Sequence, residues 1–455
     1  MSRLHHFIER LRGYGSRPCL EDEHGVHSYA DFLADCEHWQ AELERMGIRA
    51  GSVVGLQADY SVTATAVLFA ALLRGCIVAM IPRDRDVASY LEDACANEMI
   101  AVDANGRVRR QTLAAARDHP LLTKLRAAGE GGIVLFTSGS TGRPKAALQS
   151  TERFLSKFMR PRRTFRTLGF LLFDHIAGLD TLFYTLSSGG ALILTRRRDP
   201  ESVSALIEAH RVEVLPVSPS FLRLFCLAQS SLDCDLSSLK IITYGSEPMD
   251  ATTLALLNER FPHVQISQKY GTTETGSPRT VSRGNESLWL KLAGAGTGLE
   301  AKVVDNVLWL RGESTILGYL NAPSPIDEQG WYCTGDLVDV DGEWLRFRGR
   351  VADRIIVGGE NVSPAEVEQA ILELDYVRAV VVEGEKHLML GQIVTARVAL
   401  MGHMDPQEAT KGIRRHCTAR LARYKVPVKI SIVTEELVGG RQKKVRSTSR
   451  SAHAR

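Results

Sequence analysis

Between Leu135 and Lys145 the chain reads Leu-Phe-Thr-Ser-Gly-Ser-Thr-Gly-Arg-Pro-Lys. Thr137, Ser138, Gly139, Ser140, Thr141 and Gly142 gather hydroxyls and unshielded backbone amides in one short stretch, and Lys145 adds a full positive charge. With no bulky side chain in the way, successive N–H groups can converge on an anion, which suits the oxygens of a phosphate. Pro144 stiffens the backbone just before the lysine. A Walker A loop would place its lysine directly after a glycine and a hydroxyl after the lysine, for magnesium. Here Arg143 and Pro144 intervene and Ala146 follows, so that reading fails on spacing and on metal ligation. The structural alternative is a plain Ser/Gly turn after the apolar run Ile133-Val134-Leu135-Phe136.

Four further segments carry reactive or polar groups. Tyr270-Gly271-Thr272-Thr273-Glu274 follows an expected strand, Gln265 to Gln268, and Glu274 is a hard oxygen donor of the kind magnesium takes beside phosphate and water. Tyr332-Cys333-Thr334-Gly335-Asp336-Leu337 holds an aspartate that could accept two hydroxyl hydrogen bonds. Arg350 opens a stretch that runs to Gly358-Gly359-Glu360-Asn361, where paired glycines allow close backbone approach. Near the C-terminus stands Gly439-Gly440-Arg441-Gln442-Lys443-Lys444-Val445-Arg446. Each of these read alone has a bland alternative: a polar turn, a turn before a helix capped near Ser363-Pro364, or a solvated basic tail.

In this order the motifs resemble those of the adenylate-forming superfamily: acyl-CoA synthetases, aryl-CoA ligases, luciferases and the adenylation domains of peptide synthetases. The resemblance runs from about Ser28 to Arg446. It implies that Thr137, Ser138, Gly139, Ser140, Thr141, Gly142 and Lys145 hold the phosphates of ATP. Tyr270, with Gly271 and Thr272, would lie along the nucleotide near the adenine. Thr273 would contact the α-phosphate, Glu274 would hold Mg2+, Asp336 would accept the ribose hydroxyls, and Arg350 would reach the ribose or phosphate. Lys443 takes the place of the catalytic lysine that bridges the carboxylate and the α-phosphate, with Lys444 as the alternative one residue away. Three positions depart from the pattern: Ala146 for a usual glycine, Ala352 at the hinge position, and Gln442 for glycine. Gly358-Gly359-Glu360-Asn361 resembles the form in acyl- and aryl-CoA ligases.

For the acid pocket, two readings of Phe173-Asp174-His175-Ile176-Ala177-Gly178 differ by one residue of alignment. His175 with Gly178 matches the gate of CoA ligases, and His175 is preferred. Asp174 instead matches the aspartate that binds a substrate ammonium in amino-acid-activating domains. Tyr244, Gly245 and Ser246 are expected in the pocket wall; Glu247 is odd for a fatty pocket and could cap the next helix.

The activity implied is that of an AMP-forming carboxylic acid:thiol ligase. It makes acyl-AMP and pyrophosphate from an acid and ATP, then passes the acyl group to a thiol, CoA foremost. Alternatives are a carrier-protein phosphopantetheine thiol, docked through the basic runs Arg160 to Arg166 and Arg196 to Arg198; an amino acid substrate; and a non-catalytic nucleotide- or acyl-binding relative.

The elements that must position these residues follow from periodicity. Tyr29, Phe32, Leu33, Cys36, Trp39, Leu43 and Met46 share one helical face, and short apolar strands at Val53–Leu56, Cys76–Ile81, Ala191–Leu194, Val212–Val217 and Ile241–Thr243 alternate with helices. That alternation predicts an α/β fold. It has a large, multi-subdomain N-terminal domain of layered sheets and helices (1–349). A small mobile α+β C-terminal domain (350–446) and a basic tail (447–455) follow, as in acyl-CoA synthetases. Apolar residues at 44% and charged residues at 24% are those of an ordinary globular protein, and a net charge of +3 gives no argument for nucleic acid. No apolar run is long enough for a bilayer. The eight cysteines are scattered without metal or disulfide spacing, as in a cytoplasmic protein.

Overall fold

Ser28 starts the helix Tyr29–Arg45 with a reciprocal cap: its hydroxyl accepts from the Asp31 amide while the Asp31 carboxylate accepts from the Ser28 amide. The predicted face of this helix is buried at Tyr29, Phe32, Leu33, Cys36 and Leu43. The helix Val62–Leu73, capped by Ser61, is buried from Ala64 to Leu72 and has almost no polar face. It lies between two sheets, which explains its composition. These features come from a computed structural model that describes residues 2–83, 87–113, 117–137, 143–292, 298–434, 437 and 439.

Among the described residues the strands form four sheets. The first runs in the order Gln265–Gln268, Ile241–Tyr244, Val214–Val217, Arg166–Gly169, Ala191–Leu194, Pro18–Asp22, Gly25–Ser28, parallel except for its last pair. The second is parallel at its centre, through Gly132–Thr137, Ile77–Ile81, Val53–Gln57 and Glu98–Val102. Antiparallel strands flank it on both sides. Val54 and Leu56 face a core shared with the sandwiched helices, while Val53, Ile77, Ala79 and Ile81 face a separate core on the other side. This is the two-residue period of a strand buried on both faces.

The third sheet is antiparallel and carries Tyr332–Asp341 beside Trp344–Arg350. A 3-10 turn, Val351–Asp353, then leads to the fourth sheet, built from Ile355–Val357, Glu360–Val362, Val377–His387, Gly391–Leu400 and Lys429–Ile432, with helices Pro364–Leu372 and Pro406–Arg420. The fold is thus mixed α/β, with a large N-terminal part and a smaller C-terminal one.

The two parts touch through Arg223 of the helix Pro219–Leu227. Its guanidinium donates to the carbonyl oxygens of Val377, Arg378 and Leu372 at 2.7, 3.1 and 3.4 Å. Ser363 stands at the N-cap position of its helix, as the sequence suggests, but its hydroxyl donates to the Arg348 carbonyl oxygen instead of capping. No described helix is long and apolar enough to cross a membrane.

Candidate active site

A cleft of about 1570 Å³ opens where the large sheets, the antiparallel sheet and the helix Pro364–Leu372 meet. Tyr244–Ser246 and Lys269–Glu274 leave the carboxyl ends of neighbouring parallel strands to line it, the usual position for a ligand in an open α/β sheet.

Asp336 lies at the centre of one wall. The strand pairing puts it opposite Arg350. Its Oδ1 accepts from Arg350 Nε at 2.9 Å and its Oδ2 accepts from the Tyr270 hydroxyl at 2.6 Å. Its own amide donates to Thr334 Oγ1 at 3.0 Å. The Tyr270 ring stacks on Phe347, with centroids 4.4 Å apart. Burial works against the charge on Arg350, but the Asp336 carboxylate outweighs it and raises the guanidinium pKa. Burial, then the same carboxylate, pushes the Tyr270 phenol up, so it stays a donor.

Glu274 is 7% exposed. Its Oε1 accepts from the Tyr319 hydroxyl at 2.6 Å, and its carbonyl oxygen accepts from the Ile316 amide. Lys145 Nζ lies 5.2 Å from the centroid of the Tyr319 ring. Thr137 and Lys145 face each other as the last and first residues of an antiparallel pair, Gly132–Thr137 and Lys145–Ser150. The intervening segment therefore joins two strands, not a strand and a helix as in a Walker loop. Asn321 secures its far end: the side chain accepts from the Ala146 amide and donates to the Pro144 carbonyl oxygen, both at 2.9 Å. Arg143 pairs with the buried Asp93 at 2.5 Å.

At the acid end, His175 precedes the helix Ile176–Ser187 and lines the cleft. Gly178 is needed there for space: a Cβ on it would lie 1.9 Å from the Leu172 carbonyl oxygen. Asp174, the alternative ammonium ligand, does not line the cleft. It is felt instead by Tyr60, whose hydroxyl donates to the Gly178 carbonyl oxygen. Of the two neighbouring residues, His175 alone stands among the residues that line the cleft. Tyr244, Gly245 and Ser246 all line the cleft, Ser246 with a φ of +72°. Glu247 accepts from Ser220 Oγ at 2.5 Å, and the next helix is capped by Asp250 instead.

Among the sites expected from sequence, Thr137, Lys145, His175, Tyr244, Gly245, Ser246, Tyr270, Gly271, Thr272, Thr273, Glu274, Asp336 and Arg350 line this one cleft. Ser138, Gly139, Ser140, Thr141, Gly142, Lys443 and Lys444 lie outside the described residues. Gly358 to Glu360 are exposed and do not line the cleft in this arrangement. Of the basic runs, Arg166, Arg196, Arg197 and Arg198 pair with Glu21, Glu23, Asp199 and Asp59. Tyr319 and Asn321 were not anticipated. A tyrosine and an asparagine after a glycine carry no charge pattern, and only strand pairing brings Gly318–Tyr319 beside Lys145–Ser150.

Residues 7–320 match the AMP-binding enzyme family, and residues 366–444 match the AMP-binding enzyme C-terminal domain. The chain belongs to the AMP-binding enzyme family. It is similar to the 2-succinylbenzoate–CoA ligase of Enterococcus faecalis, 30% identical over 324 residues, covering 65% of this chain and 64% of that protein. It is also similar to the long-chain-fatty-acid–CoA ligase FadD13 of Mycobacterium tuberculosis, 28% identical over 322 residues, covering 66% and 63%. The matched stretch thus spans a little under two thirds of each relative. Among solved structures, the anthranilate CoA ligase AuaEII in complex with anthranoyl-AMP superposes with a TM-score of 0.81 at 21% identity, over 99% of this chain and 97% of that one. That likeness concerns the fold of this AMP-binding enzyme.

Proposed function

We propose that this AMP-binding enzyme is an ATP-dependent carboxylic acid:thiol ligase, with CoA as its thiol. The observation that carries the reading is the convergence of Lys145, Thr273, Glu274, Asp336 and Arg350 on one cleft whose other end is lined by His175 and Tyr244–Ser246. The similarity to CoA ligases for aromatic and fatty acids supports the same class without selecting the acid.

In the first half-reaction a carboxylate oxygen attacks the α-phosphorus of ATP, the bond to the bridging oxygen breaks, and pyrophosphate leaves. In the second, a thiol attacks the acyl carbon and AMP leaves with the bonding electrons. Neither step needs a side-chain nucleophile; positioning and charge stabilisation carry the rate. Asp336 and Arg350 orient the ribose, Tyr270 lies along the adenine, and Lys145 with the Thr137–Gly142 segment neutralises the phosphates. Lys443 stabilises the charge that builds up as pyrophosphate departs.

The donors present fit a magnesium ion held mainly by phosphate and water. Glu274 supplies one buried carboxylate, and no described group of three His, Cys, Asp or Glu is arranged to hold a metal alone. Magnesium supplies charge neutralisation on the phosphate oxygens. Tyr319, bonded to Oε1 of Glu274, fixes the direction in which that carboxylate points. The unit beyond Arg350 moves between the half-reactions, pivoting at Val351–Asp353, and brings the Gly358–Asn361 turn to the thiol.

The test is pyrophosphate release with ATP, magnesium and a panel of aryl, fatty and amino acids, with and without CoA. Acid-dependent release followed by thioester formation on adding CoA is the expected result. Acid-dependent release without thioester would move the acceptor to a carrier protein, and release by no acid would overturn the reading.

A further inference from the structure

Lys269, Arg279 and Arg162 place three positive charges on the walls of the cleft. None is ion-paired with a carboxylate among the described residues, unlike Lys157, which is held by Asp180 at 2.5 Å. Of the acids that line the cleft, Asp180 is paired with Lys157, and Glu247 accepts from the neutral Ser220 hydroxyl.

The fold brings the three together deliberately. Lys269 is the first residue beyond the strand Gln265–Gln268, and its amide donates to the Tyr244 carbonyl oxygen at 2.7 Å. Gly245 permits this approach, since a Cβ there would lie 2.7 Å from the Lys269 carbonyl oxygen. Lys269 is thus built onto the Tyr244–Ser246 wall. The turn bridged at Thr272 and Gly276 then doubles the chain back. Thr280 Oγ1 donates to the Gln268 carbonyl oxygen at 2.7 Å and Ser282 Oγ accepts from the Gln268 amide at 2.8 Å, which sets Arg279 alongside Lys269. Arg162 comes from a different wall. Its guanidinium lies 5.5 Å from the Tyr184 ring centroid on the helix that follows His175, and its amide donates to Ser188 Oγ.

Arg162 and Arg279 both act on Lys269. Surrounding protein, then Arg162 and Arg279, hold the Lys269 ammonium below the ordinary lysine range. The side chain nonetheless keeps contact with the solvent of the cleft. Like charges on one concave site, with no ion-pair partner among the described residues, form a field that an anion of the right reach would relieve.

We propose that the acid activated here carries a second anionic group, a carboxylate, bound by Lys269 and Arg279 with Arg162 beside them. The proposal rests on the adenylation reading above and adds a selection rule to it. A substrate with two carboxylates needs one anchored, so that the other is presented to the α-phosphate. The same cations therefore decide which carboxylate reacts.

The probes are matched pairs of acids: benzoate against the three benzenedicarboxylates, and hexanoate against hexanedioate. Pyrophosphate release is read with ATP and magnesium and without CoA. The preferred diacid should exceed its monoacid in kcat/KM by about 100-fold or more, as expected for a site whose polar groups are left unpaired by the wrong substrate. Lys269→Met and Arg279→Met should each raise the diacid KM about tenfold, with the KM for ATP little changed. Monoacids used as well as diacids would overturn the proposal and leave adenylation standing. An unchanged diacid KM, with a raised KM for CoA when thioester formation is measured separately with CoA added, would also overturn it, by giving the cations to the phosphates of the acceptor. Release with no acid of either kind would overturn adenylation and this proposal with it. If a variant fails to fold, the comparison of matched pairs on the unaltered protein still decides.

Discussion

Arg223 of the large unit and Val377 of the small one are joined by a 2.7 Å hydrogen bond from guanidinium to carbonyl oxygen. The same side chain, 7% exposed, also reaches the carbonyl of Leu372, the last residue of the helix Pro364–Leu372, where a cation satisfies the helix end. Arg223 therefore favours the orientation seen here, in which that helix lines the cleft and the Gly358-Gly359 turn does not.

If adenylation uses this orientation, Arg223→Gln should slow pyrophosphate release by about tenfold, the scale of a charged hydrogen bond. Thioester formation from supplied acyl-AMP should fall less. The two half-reactions measured separately would show the split; equal losses in both would reduce Arg223 to a purely structural role.

Tyr319→Phe removes one hydroxyl and keeps the ring beside Lys145. Glu274 then loses its 2.6 Å donor. The expected outcome is a magnesium requirement raised about tenfold in the pyrophosphate assay, with a melting temperature close to that of the unaltered protein. A magnesium titration that does not move would remove Tyr319 from the metal's surroundings.

Gly178→Ala should destabilise the protein by about 3 kcal/mol, because the added methyl meets the Leu172 carbonyl oxygen at 1.9 Å. Urea denaturation measures this. A loss below about 0.5 kcal/mol would mean that the first turn of the helix Ile176–Ser187 can shift to make room.

Lys443→Ala and Lys444→Ala distinguish the two alignments of the C-terminal lysine. The one that stabilises the departing charge should lower the adenylation rate about 100-fold or more when removed, and its neighbour should have a small effect. Small and equal effects would return both to a solvated basic tail.

Much of the site was legible because its parts are local. Tyr270 to Glu274 and Tyr332 to Leu337 are contiguous, and each keeps its internal spacing when folded. The strands Val53–Gln57 and Ile77–Ile81 were legible from apolar runs alone, since burial on both faces leaves no polar positions to confuse the period. What escaped depends on partners distant in sequence. Tyr319 meets Glu274 across 45 positions, and Asn321 meets Ala146 across 175. Asp174 and His175 could not be separated by alignment because they are adjacent, and which of them lines the cleft depends on how the chain enters the helix Ile176–Ser187. Arg279 carried no signal until the Thr272–Gly276 turn brought it back to Lys269.

Asp336 has two oxygens, and both are committed: one to Arg350, the other to Tyr270. Any ligand that grips this carboxylate through a pair of hydroxyls must compete with those contacts. Arg350 is also the residue after which the chain turns, at Val351–Asp353, toward the smaller unit. On the adenylation reading proposed above, a nucleotide that loosens Arg350 from Asp336 would also free the turn at Val351–Asp353, and a posture of the smaller unit that pulls Arg350 away would leave the carboxylate open to the nucleotide. Occupancy and posture would then be two readings of one linked equilibrium, each shifting the other by the same free energy.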